Sequence, residues 1–219
     1  MNSQDPSLET LQDIKKMMNQ SSRFISLSGL SGVSAGITAL VGAWFANDAI
    51  QKASSTSQGN IAEIKPYDEV AGADLLDNFL GSSLFLIAAL TLIIAIILAV
   101  GFTYFRSTKQ GIPVWGNAAR RLVWNLALPL FFGGIFLLKL IEAGVYGLIA
   151  PGCLIFYGLA LVNASKYTLG DIRFLGYAML ILGLINCWLP GYGLYFWATG
   201  FGILHIVYGM IMWNKYERN

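Results

Sequence analysis

The chain has 219 residues, 56% of them hydrophobic and only 12% charged, and its formal net charge is +2. Soluble domains carry about 25% charged residues, so this composition excludes an ordinary soluble domain. The small net charge gives no electrostatic footprint for nucleic acid. Two cysteines and a single histidine also leave no disulfide framework and no multi-histidine metal site.

Residues 5–22 read as an amphipathic helix. Asp5 caps it and Pro6 suits its first turn, while Leu8, Leu11, Ile14 and Met18 recur every three or four residues along one face. The opposite face carries Glu9, Asp13 and Lys16. Two roles fit such a stripe: a helix lying on the inner leaflet, or a docking helix for a cytoplasmic protein partner. The first residues, MNSQDPSLET, lack the basic n-region of a cleavable signal peptide.

Six apolar stretches follow, each read as a membrane span: Phe24–Ala46, Ser82–Phe105, Leu122–Ile141, Gly144–Asn163, Phe174–Leu189 and Gly193–Trp213. About 20 apolar residues cover the roughly 30 Å hydrocarbon core, and only a helix satisfies its own backbone there. The expected architecture is therefore an all-α, six-span transmembrane bundle over 24–213. The amphipathic segment 1–23 precedes it and a cytoplasmic tail, 214–219, follows. The third span is interrupted by Pro129 and two glycines, and the fifth is short. Glu142-Ala143 and Pro190-Gly191-Tyr192 are links short enough for tight hairpins.

The first span is rich in small residues. Ser28, Gly32, Ala35, Gly36 and Ala39 share a face on which another helix can approach closely. That helix is either a neighbour in the same chain or a second copy. Serines 26, 28, 31 and 34 either bond back to their own helix carbonyls or line a polar path. The link 47–81 opens with a polar stretch, Ala53 to Asn60, and carries six acids against Lys52 and Lys65. It reads as a solvated linker, with a cation funnel or partner surface as the alternative.

The link from Arg106 to Arg121 holds Arg106, Lys109, Arg120 and Arg121 and no acid, with Gly111-Ile112-Pro113 as a break and Trp115 as an interfacial anchor. Attraction to anionic headgroups accounts for it. Eleven of the fourteen Lys and Arg residues fall on one side of the six-span arrangement. Cytoplasmic loops carry that excess, so both termini are expected inside and the link 47–81 outside.

His205 lies near the middle of the last span, and ionisable residues inside a membrane are functional candidates. Counting residues from the inner ends places Tyr157 at a similar depth and Tyr177 nearer the inner surface. A neutral His205 bonded to a tyrosine, preferably Tyr157, is the expectation. Its role is either packing or a proton relay or ligand contact. Lys139 and Glu142 are spaced to pair on one helix face, and Asn125 and Asn186 are further buried-polar candidates. Cys153 and Cys187 read as small buried apolar residues. No His–carboxylate set, H-E-x-x-H motif or intramembrane acid pair occurs, so no catalytic residues, metal or cofactor are assigned.

The stretches Tyr157-Gly158…Asn163-Ala-Ser-Lys166-Tyr167 and Tyr208-Gly209…Asn214-Lys215-Tyr216 are alike. A duplicated hairpin would produce this, although the spacing differs by two residues and chance similarity of Gly- and Tyr-rich helices is the preferred explanation. The run Tyr157-Gly-Leu-Ala-Leu-Val-Asn-Ala-Ser-Lys-Tyr-Thr-Leu-Gly-Asp-Ile-Arg173, together with Arg23-Phe-Ile-Ser-Leu-Ser-Gly-Leu-Ser-Gly-Val33 and the run from Gly191 through His205 to Gly209, resembles a family of polytopic inner-membrane proteins of Bacteroidota-type bacteria. The resemblance implies a bacterial inner-membrane location and carries no activity or site residues. The functional expectation is a non-enzymatic membrane protein acting through protein-partner or lipid contacts in sensing or regulation. A small-solute or ion transporter is the alternative.

Overall fold

The computed structural model describes residues 24, 28–57, 78–109, 111 and 115–218, the side chains of 53–57 excepted. The amphipathic segment with Leu8, Leu11, Ile14 and Met18, together with Ser26, Ile112-Pro113 and the acidic stretch 58–77, lies outside the described residues. The described residues are helical, with no strand among them. The helices are α1 (Gly29–Ser57), α2 (Ser83–Lys109), α3 (Asn117–Glu142), α4 (Ile149–Ala164), α5 (Ile172–Cys187), α6 (Gly193–Trp197) and α7 (His205–Tyr216). A 3-10 turn, Tyr146–Leu148, leads into α4, and a π-helical segment, Ala198–Leu204, joins α6 to α7. Five of the resulting rods are long and apolar enough to cross a membrane. The exception is α5: its 16 residues span about 24 Å at 1.5 Å per residue.

Several expected boundaries shift for identifiable reasons. The first helix runs through residues 47–57, assigned from sequence to the outward link. Ala49, Gln51 and Lys52 favour helix, and Lys52 pairs with Asp48 at 2.6 Å one turn back. Ser82 accepts the Phe85 N–H at 3.2 Å and so caps α2. At the end of α3, Gly144 adopts φ 72°, and its N–H and that of Val145 close back on Ile141 and Leu140 at 2.9 and 2.8 Å. This left-handed stop delays the next helix to Ile149. The C-terminal helix continues to Tyr216, so the first half of the expected tail is helical.

Pro129 does not break α3. A proline cannot donate to the carbonyl four residues earlier, here that of Asn125. That carbonyl instead accepts from Asn163 Nδ2 of α4 at 2.9 Å, and the same amide reaches Asn125 Oδ1 at 3.2 Å. The backbone group freed by the proline is thus satisfied across the helix pair.

Consecutive rods alternate in direction, α6 and α7 forming one rod through the π-helical segment. One end of the bundle gathers the starts of α1, α3 and α5 and the ends of α2, α4 and α7. There Phe24 N–H donates to Tyr167 O at 2.8 Å, Arg106 pairs with Glu217 at 3.2 Å, and Lys215 pairs with Asp171 at 2.5 Å. The core consists of α1, α4, α5 and the last rod, centred on Leu154, Met179, Leu161 and Met212. The arms α2 and α3 flank it: α2 packs on α1 and α3 on α4, while the two have no substantial contact with each other.

Candidate functional site: a cavity above a Tyr–His pair

Glycines bring the core backbones together. A methyl group on Gly209 would sit 2.6 Å from the Gly29 carbonyl oxygen and 2.6 Å from the Val33 nitrogen. One on Gly32 would sit 3.2 Å from Gly209 Cα, and one on Gly36 would sit 2.7 Å from the Gly202 oxygen. The small face of α1 therefore packs within the chain against the last rod. Ala39 and Ala43 on α1 are buried, and Ala35 is half-buried.

Between these elements lies a cavity of about 250 Å³. Its walls include Ser31 and Ala35 of α1, Ala99 of α2, Leu126 of α3, Leu161 of α4 and Met212 of α7. Along α1 it extends from Ser28 to Ala35, about 10 Å at 1.5 Å per residue. It therefore occupies the half of the bundle nearest the basic end. Tyr157 and His205 border it at its deeper level.

Tyr157 Oη lies 2.9 Å from His205 Nε2, and His205 Nδ1 lies 2.9 Å from the Gly200 carbonyl oxygen. A carbonyl only accepts, so Nδ1 carries the proton. In the neutral ring Nε2 then accepts from the tyrosine hydroxyl. The acceptor is five residues before the histidine, within the π-helical segment. Sequence reading took Gly193–Trp213 as one regular helix and so missed this widened turn. Its signal is the pair Gly200 and Gly202 in Thr199-Gly-Phe-Gly202, weak helix formers packed against Leu154 and Leu40. Phe201 stacks on the histidine ring at 5.9 Å.

Tyr177 does not join this pair. It is 46% exposed on the outer side of α5, because Ile172, Leu175, Gly176, Met179, Gly183 and Asn186 form the buried stripe of that helix. Asn186 is 1% exposed and neither atom of its amide has a hydrogen-bond partner among the described residues. Cys153 and Cys187 are free thiols, half-buried rather than buried.

The polar groups on the cavity wall are turned to protein partners. Ser31 donates to Ser28 O at 2.5 Å and Thr168 to Phe24 O at 2.6 Å. Farther along α1, Ser34 donates to Ser31 O at 2.9 Å. Tyr208 Oη is the exception: it has no partner among the described residues and is sealed from water. Glu217 closes the basic end. Its carboxylate accepts from Ser28 Oγ at 3.2 Å and from the Gly29 N–H, and it pairs with Arg106, which also donates to Tyr216 O at 3.2 Å. A residue expected in a free tail thus caps the first helix and ties α1, α2 and α7 together.

The remaining basic-link candidates, Lys109, Arg120 and Arg121, are exposed at the ends of α2 and α3. Lys139 and Glu142 pair at 2.7 Å. Asp171 accepts from Lys215 and Tyr216, and these bonds hold its carboxyl below the usual carboxylate range. Among the described residues no three His, Cys, Asp or Glu side chains converge as metal ligands. Comparison with known proteins gives no match: no family model, no curated protein and no solved structure is similar to this chain.

Proposed function

We propose that this chain is a non-enzymatic, multi-pass membrane protein that holds an apolar guest in the cavity between α1, α4, α5 and α7, and that it acts in sensing or regulation. The carrying observation is the cavity itself: about 250 Å³, apolar in most of its wall. Apart from Tyr208, whose hydroxyl is sealed from water, its Ser31, Thr168, Tyr157 and His205 groups are bonded within the protein. An apolar void of roughly 150 Å³ stays dry and accepts benzene, so this one has room for a larger hydrocarbon group. No carboxylate contacts His205 in the described structure; its two ring nitrogens meet a carbonyl and a phenol. That arrangement supports a structural or ligand-lining role rather than acid–base catalysis.

The charge asymmetry favours both termini and the basic end on the cytoplasmic side, with α5 as a sixth, shorter crossing, and the family resemblance favours a bacterial inner membrane. The amphipathic segment 5–22 supplies a surface for the inner leaflet or for a protein partner. The test of the binding reading is extraction and mass spectrometry of small molecules that copurify with the protein, compared with Ala99→Trp. A guest retained by the natural chain and absent from the variant is expected. The same yield of every copurifying molecule from both would remove the reading.

A transporter is the second reading, favoured by the π-helical segment beside His205, since such segments recur at functional sites. Solute flux in proteoliposomes that disappears in His205→Ala would support it. Its absence for all candidate solutes would count against it.

A further inference from the structure

Resting on the binding reading above, we infer that the cavity is a lateral site for one acyl chain of an anionic glycerophospholipid, which enters between α2 and α3 and leaves its phosphate on Lys109, Arg120 and Arg121. Four observations converge on it. The two arms are consecutive in sequence yet do not pack on each other. Both nevertheless reach the cavity, α2 through Ala99 and α3 through Leu122 and Leu126. On the membrane reading, the space between two such lipid-facing helices is the guest's route from the bilayer.

The shape and chemistry of the void suit a chain and not a headgroup. It is about 10 Å deep along α1 at 1.5 Å per residue and ends at the Tyr157–His205 pair, whose donors and acceptors face each other and Gly200. A polar group placed there would lose its water without a partner. A hydrocarbon tail has nothing to satisfy.

The rim supplies the charge. The segment from 106 to 121 contains four cations and no acid. Arg106 is tied to Glu217 and to Tyr216 O, whereas Lys109 on one arm and Arg120 and Arg121 on the other are exposed. Leu122 follows Arg121 directly, so charged rim and apolar wall meet within one turn of α3. Guanidinium and ammonium groups at this level attract phosphate strongly, and their positive field favours a lipid of net negative charge over one whose choline cancels its phosphate.

The experiment uses the full chain in mild detergent and native mass spectrometry. Phosphatidylglycerol and phosphatidylcholine with identical chains are titrated separately. The natural chain should retain one phosphatidylglycerol molecule in preference to phosphatidylcholine. Each surface cation contributes about fivefold, so Lys109→Gln/Arg120→Gln/Arg121→Gln should weaken phosphatidylglycerol binding on the order of 100-fold and weaken phosphatidylcholine, whose choline offsets its phosphate, much less. Ala99→Trp should abolish the retained molecule. Leu126→Trp, from the opposite arm, should do the same, so a folding failure in one variant leaves the other informative; elution volume and helical circular dichroism report folding. Undiminished phosphatidylglycerol binding in both folded tryptophan variants would overturn the proposal. Equal retention of the two lipids, blocked by tryptophan, would overturn the anionic site while leaving the apolar-guest reading standing. No molecule displaced by either tryptophan would sink both.

Discussion

The bond between Asn163 and the carbonyl of Asn125 exists because Pro129 has no N–H, and that dependence can be measured. Asn163→Ala removes the 2.9 and 3.2 Å bonds to α3 and leaves the Asn125 carbonyl without its donor. An unsatisfied buried group costs about 1–3 kcal/mol, whereas polar contacts between membrane helices average about 0.6 and reach about 1.7 kcal/mol. The i+4 donor of a regular helix is missing at Pro129, so the upper part of the membrane range applies: about 1–2 kcal/mol. In Pro129→Ala the N–H returns and the helix itself satisfies Asn125. There the same Asn163→Ala change should cost under about 0.5 kcal/mol, giving a coupling near 1 kcal/mol. The four proteins of the cycle would be unfolded reversibly in mixed micelles. Additivity to within about 0.3–0.5 kcal/mol would refute the reasoning, because the asparagine bond would then be independent of the proline.

Other expectations follow from packing and charge. Gly209→Ala places a methyl 2.6 Å from the Gly29 oxygen and from the Val33 nitrogen, both backbone atoms. It should destabilise by about 1–3 kcal/mol in the same micelle assay, while Gly134→Ala, with open space around it, should be neutral or stabilising. Glu217→Ala removes the acceptor of Ser28, Gly29 and Arg106 and should cost about 1–3 kcal/mol. It should also speed exchange of the first amides of α1, a local effect visible by hydrogen exchange. The Asp171 carboxyl is held below its ordinary range by its bonds to Lys215 and Tyr216, so it binds fewer protons folded than unfolded. Its contribution is present above about pH 4 and fades as pH falls through the lower folded value. The pair is partly solvated, at 29% and 55% exposure, so the effect is small. Acid unfolding of Asp171→Asn should show a shallower pH dependence below about pH 4 than the natural chain; an identical profile would show that the bonds contribute nothing.

What the sequence made legible were features carried by nearest neighbours along a helix. Apolar runs located the rods, and the Lys–Glu spacing at 139 and 142 matched one helix turn. The rest depended on partners far along the chain. Pro129 looked like a break because its compensating donor is Asn163, 38 residues away. Glu217 looked like tail because its partners, Ser28 and Gly29, are 188 to 189 residues earlier. Counting depth placed His205 and Tyr157 together. The same count set Tyr177 nearer the inner surface but could not tell that it faces outward, because depth says nothing of direction around a helix. Neither could hydropathy distinguish the core rods from the arms: α2 is the most apolar of the long helices and the least buried, since lipid and protein interiors reward the same residues.

The repeated Tyr-Gly pairs acquire a reason that duplication does not supply. Gly158 and Gly176 approach reciprocally: a methyl on either would lie 2.8 or 2.9 Å from the other's carbonyl oxygen. Gly209 and Gly29 do the same at 2.6 and 2.5 Å. One contact joins α4 to α5 and the other joins α7 to α1. In each, the tyrosine precedes the glycine and is turned about 100° around the helix from the contact line. Its ring therefore stands beside the close approach, and both Tyr157 and Tyr208 border the cavity. Two helix pairs drawn tight by glycine, each with a bulky neighbour, leave space where the pairs face one another. Packing geometry is sufficient to place the same dipeptide twice, and it makes the cavity a consequence of how the core is held together.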